Sequence, residues 1–266
     1  MAEVEPATLI EHMYASLRDV GGQRAQLDCA FDTVDLARAF TATFADLEST
    51  PAGGSFFPSG SRTPLIDLGE QRAEFTDHIS DTEHLQALLW QPPRWRVEGR
   101  PELDFCFLAR ELTPTSSEAT EGRRWLTADT RRHISLDALL VNANDRTPIV
   151  AEIKVSGDEN AELALVQALA AAAQLSTPSQ LRRLHREYRD HFGLMAPSRL
   201  DVYVITARSP PRGTRPQLAR RARQRVGELE RSGLLARWIR RIIFLEAART
   251  NGTLTLKVIG PDQPVA

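Results

Sequence analysis

Apolar and polar positions follow two different periods along the chain, and the change between them divides it. In DTVDLARAFTATFADLES, Val34, Leu36, Ala37, Phe40, Phe44 and Leu47 recur at helical spacing behind Asp32 or Thr33 as a cap, which predicts a helix over 33–49. Residues 7–20 and 70–91 carry the same period and are predicted to be helices. Between them, STPAGGSFFPSGSRTP (49–64) concentrates Gly, Ser and Pro and reads as a long loop.

From residue 102 onward the runs become short and strand-like. ELDFCFLAREL (102–112), HISLDALLVN (133–142) and TPIVAEIKVS (147–156) predict three strands, with TPTSSEATEG (113–122) as a loop and NANDRT as a turn. GDENAELALVQALAAAAQL (157–175) has a small polar start and an Ala-rich body, the mark of a helix. RLDVYVITA (199–207) is apolar throughout, as a central buried strand would be. A helix over about 214–232 and strands in RRIIFLEAA and TLTLKVIG complete the pattern. Clustered strands followed by strand–helix alternation predict an α/β fold, an α/β/α sandwich with a mixed central sheet. Residues 1–100 form a mainly helical N-terminal region for dimerisation or partner binding, and 101–266 form the second domain.

Composition narrows the class without naming a chemistry. The 266 residues are 42% hydrophobic and 26% charged, ordinary values for a soluble globular protein. No apolar run approaches the roughly 18–20 residues of a membrane span. The opening MAEVEPATLIEHMY is acidic and lacks a basic segment followed by an apolar core, so no secretory signal is predicted. Cys29 and Cys106 form no CxxC and predict neither a zinc site nor a disulfide framework. A cytoplasmic protein without a membrane partner is expected.

Charge is unevenly spread. Residues 1–100 hold 16 acids and 8 arginines, while 101–266 hold 19 acids and 25 bases. Within 180–241 there are 16 arginines against 5 acids, including Arg220, Arg221 and Arg223. Such a stretch is the footprint of an anionic partner, or else a solvated Arg-rich helix face. Arg131 and Arg132, near Trp125, could likewise meet phosphates or be solvated loop charges.

The chain has 31 arginines but only two lysines, Lys154 and Lys257. Lys154 lies two residues after Glu152 in an otherwise apolar strand, so both side chains share a face. A short turn leads back to the strand holding Asp137, which brings the two carboxylates together. Converging carboxylates repel unless a proton or cation intervenes. Hard oxygen ligands suit Mg²⁺ or Mn²⁺, and an adjacent amine can orient or deprotonate a water. That set suits hydrolysis of a phosphodiester. The plainer reading is a cross-strand salt bridge on a wet face, which contributes little.

Asp137, the turn, Glu152-Ile153-Lys154 and the following helix resemble the PD-(D/E)xK nuclease superfamily, whose core is the restriction-endonuclease-like fold. The resemblance covers about residues 102–207. It implies strand, strand, strand, helix, strand, with Asp137, Glu152 and the Ile153 carbonyl as metal ligands and Lys154 assisting the attacking water. Leu136 stands where many members have Pro. Gln167 matches the Gln of a QxxxY pattern found in some members and is a further catalytic candidate, but Ala171 replaces the Tyr. An acidic residue on a preceding helix would be Glu70, Glu74 or Glu83.

The function implied is a metal-dependent nuclease, an endonuclease acting on DNA. Arg131, Arg132, Arg220, Arg221 and Arg223 would contact nucleic acid. The alternative is an inactive module of the same fold that binds nucleic acid or protein. A homodimer, or a separate partner in a defence or repair system, would complete either assembly. No HExxH, GxGxxG, P-loop or nucleophile-elbow motif competes.

Overall fold

A computed structural model describes residues 35–48, 57–58, 82–90, 92–113, 136–155, 161–207 and 216–259. The helix expected at 7–20, most of the 49–64 loop, residues 70–81, the 114–122 tip, and Glu70, Glu74, Arg131 and Arg132 lie outside them. The described chain is a mixed α/β structure. Its strands are β1 (Phe57–Pro58), β2 (Phe105–Thr113), β3 (Leu136–Asn142), β4 (Pro148–Lys154), β5 (Leu200–Ala207), β6 (Ile239–Thr250) and β7 (Thr253–Val258). Its helices are α1 (Leu36–Glu48), α2 (Thr82–Trp90), α3 (Ala161–Leu175), α4 (Pro178–Glu187), α5 (Arg189–Phe192) and α6 (Pro216–Ser232).

The strands form one sheet in sequence order, antiparallel from β1 to β4, parallel from β4 to β6, and antiparallel again at β7. Tight connections explain the antiparallel pairs β3–β4 and β6–β7. Between β3 and β4, Asn142 Oδ1 accepts the N–H groups of Asn144 (2.9 Å) and Asp145 (3.1 Å). Between β6 and β7, Asn251 (φ 51°) and Gly252 (φ 77°) both take positive φ, as a two-residue hairpin turn requires. The parallel pairs need crossovers, supplied by the α3–α5 segment and by α6.

Two cores sandwich the sheet. Val150, Val202, Val204 and Phe244 face α3 and α6, joined by Leu36, Phe40 and Phe44 of α1. Ile149, Ala151, Ile153, Tyr203, Ile205 and Leu245 face the other way, onto Leu85, Leu88 and Leu89 of α2. The Ala-rich body of α3 suits this position, because small side chains let the helix approach the sheet closely. Both described N-terminal helices are therefore built into the sheet's own cores. No helix among the described residues is long and apolar enough to cross a membrane.

At the N-terminal end of β5, Asp201 is fully buried. It accepts from Arg240 Nε (2.9 Å) and Nη2 (2.7 Å) and from Arg241 Nε (2.8 Å). Arg240 also pairs with Asp145 of the β3–β4 turn. This clasp ties three strands together at the end of the sheet opposite Lys154.

Candidate active site

Glu152 and Lys154 leave the same face of β4 at its C-terminal end, on the side of α3. Lys154 Nζ donates to Glu152 Oε1 at 3.1 Å, and the two residues are 7% and 2% exposed. Alternation dictates the shared face, and the flanking Ile153 and Val155 take the opposite core. The carboxyl ends of parallel strands are where open α/β sheets commonly bind ligands.

Asp137 reaches this place by breaking the ladder. The β3–β4 pairing ends at Ala138–Ala151. One residue further, Asp137 Oδ2 takes the N–H of Ile153 at 2.8 Å, so a side-chain oxygen replaces a backbone acceptor. A strand residue points its N–H and C=O toward the same neighbour. The Ile153 carbonyl therefore faces the Asp137 side as well.

The Asp137 carboxyl lies close enough to Glu152 for its charge to act on the Glu152 carboxyl. Burial, followed by the Asp137 charge, pushes the Glu152 carboxyl well above the usual range, and the Lys154 ammonium offsets this only in part.

Gln86 of α2 is the residue that sequence reasoning missed. It is buried, and its Nε2 donates to the Asp137 carbonyl at 2.8 Å. Its Oε1 has no hydrogen-bond partner among the described residues. The link holds the Asp137 peptide from the opposite face of the sheet. Nothing local marks it: Gln86 is one polar residue among Leu85, Leu88 and Leu89, and only the packing of α2 reveals its target. Glu83 lies on the same helix, with its side chain outside the described atoms.

The other described candidates lie on α3 and α6. Gln167 is half-buried on α3, the helix that packs over β4 and β5. Arg221 is half-buried and pairs with the buried Glu162 of α3 at 3.6 Å, and Arg223 is itself buried. The Arg220 side chain lies outside the described atoms. Arg183 is buried beside Gln180, and Arg240 and Arg241 serve the Asp201 clasp. The Arg-rich stretch thus supplies some internal contacts, while Arg182, Arg186, Arg189, Arg199, Arg231 and Arg237 are exposed.

Among the described residues no three His, Cys, Asp or Glu side chains gather as a metal cluster. Comparison with protein-family models, with curated proteins and with solved structures produced no match.

Proposed function

We propose that the protein is a metal-dependent nuclease that hydrolyses phosphodiester bonds, with DNA as its expected substrate. One observation carries this reading: the Asp137–Glu152 carboxyl pair, beside the Lys154 amine, at the C-terminal end of β4. The order β2, β3, β4, α3, β5 supports it, being the order that the PD-(D/E)xK resemblance implies.

The residues fit a hard divalent cation. The Asp137 and Glu152 carboxylates, with the Ile153 carbonyl turned to the same side, form an all-oxygen set. Mg²⁺ takes one or two carboxylates and retains waters, so two suffice. When bound, Mg²⁺ or Mn²⁺ would supply Lewis acidity toward a phosphoryl oxygen and lower the pKa of a coordinated water.

The chain's own groups do the rest. Asp137 and Glu152 would hold the cation in their deprotonated forms. The Ile153 N–H fixes the orientation of Asp137, and Gln86 fixes its peptide. Lys154 places an ammonium where negative charge develops on the phosphate, or accepts a proton from the attacking water.

Linear, circular and single-stranded DNA, together with RNA, incubated with Mg²⁺, Mn²⁺ or EDTA test the proposal. Metal-dependent cleavage is expected, abolished in Asp137→Asn. Undiminished cleavage in EDTA, or no cleavage of any substrate with either metal, would overturn it. The second reading, a binding module without turnover, draws on the near-complete burial of Glu152 and Lys154. Nucleic-acid binding without cleavage would select it.

A further inference from the structure

Both lysines of the chain stand in one cross-strand row. Lys154 of β4 is opposite Thr206 of β5, Thr206 is opposite Glu246 of β6, and Glu246 is opposite Lys257 of β7. All four belong to the α3 face. Two residues before Thr206 and Glu246, Val204 and Phe244 pack in the core beneath α3, while the intervening Ile205, Leu245 and Leu256 fill the opposite core.

Exposure rises steadily along the row. Lys154 is buried, Thr206 and Glu246 are half-buried, and Lys257 is exposed. At about 4.8 Å per strand, three steps carry the row about 14 Å from Lys154 to the sheet edge. It starts at the candidate active site and opens into solvent.

We infer that this row is a second phosphate subsite, in which the Lys257 ammonium holds a backbone phosphate of the strand being cut at Lys154. The inference rests on the nuclease reading and gives it a direction, with the polyanion leaving the active site across β5 and β6 toward β7. An ammonium is a compact point charge that meets a passing phosphate from many angles. Glu246, between the lysines, opposes phosphate at the middle of the row. The path is therefore anchored at its two ends.

The sign of each charge makes the row testable. A labelled DNA duplex is titrated in EDTA across a series of salt concentrations with wild type, Lys257→Ala, Lys257→Arg and Glu246→Gln. Lys257→Ala should weaken binding and flatten the double-logarithmic salt slope by about 0.9, the increment for one phosphate contact. Lys257→Arg should keep the slope, and Glu246→Gln should tighten binding. Were Lys257 and Glu246 merely a cross-strand pair, both variants would melt slightly earlier and bind as wild type does, which overturns the row. A wild type that does not bind DNA also overturns it. Lys257-dependent binding without cleavage in Mg²⁺ keeps the row and removes the nuclease reading. Cleavage with a slope indifferent to Lys257 does the reverse.

Discussion

Glu152→Gln tests the electrostatics of the site without requiring turnover. In the unfolded chain Glu152 ionises near its ordinary value of 4.5. In the folded chain burial and Asp137 hold it protonated to well above that pH. Below pH 4.5 both states carry the proton, and the group leaves stability unchanged. As pH rises further, the unfolded chain releases its proton while the folded chain keeps it. Stability then falls by about 1.4 kcal/mol per pH unit, until the pH passes the folded pKa and the loss is complete. Glutamine cannot ionise, yet it retains an oxygen for the Lys154 ammonium that now lies 3.1 Å from Glu152 Oε1. Urea unfolding in EDTA over a pH series rising from 4.5 should therefore show the variant gaining on wild type as pH rises. The sign is diagnostic, because Lys154 pulls the other way. If wild type instead gains on the variant as pH rises, the ammonium outweighs burial and Asp137, and the raised Glu152 carboxyl is refuted. A difference independent of pH refutes it equally.

Two further outcomes concern other parts of the molecule. Lys154→Arg should lower nuclease turnover by about 10²-fold while leaving the fold intact, since a bulky fork that cannot act as a base replaces a compact amine; steady-state cleavage rates at full activity would reduce Lys154 to a salt-bridge partner. Asp201→Asn should lower unfolding free energy by about 3 kcal/mol, because it strips the counter-charge from Arg240 and Arg241; denaturant titration showing a loss under about 0.5 kcal/mol would class the clasp with ordinary surface pairs.

Local pattern explains which elements were readable. Strands β2 to β7 and helices α1, α3 and α6 fall where their periods place them, with ends shifted by a few residues. Leu181 and Leu184 are the apolar contacts of α4 amid Arg182, Arg183, His185 and Arg186, too sparse a stripe to set a period. Its Thr177-Pro178 start was the available signal, with Pro at the first helical position. The charge count for 180–241 does not say which arginines reach solvent, as Arg182, Arg199 and Arg237 do, and which, like Arg183 and Arg223, are buried. A sum over sequence does not separate Arg240, tied to Asp201 and Asp145, from an arginine in water.

By itself the sequence determined that Glu152 and Lys154 share a face and that Asp137 lies in the preceding strand, since side-chain alternation and a short turn are local properties of the backbone. The order of strands and crossover helices follows for the same reason. Tertiary structure decided the rest. Asp137 joins the pair because β3 leaves the ladder after Ala138 and the carboxylate takes the Ile153 N–H. Gln86 meets Asp137 across 51 residues of sequence because α2 packs on the far face of the sheet. Lys257 enters the Lys154 row only through the register of three strand pairings. These contacts depend on where a strand stops pairing and on which residue lies opposite which, and hydrophobic periodicity encodes neither.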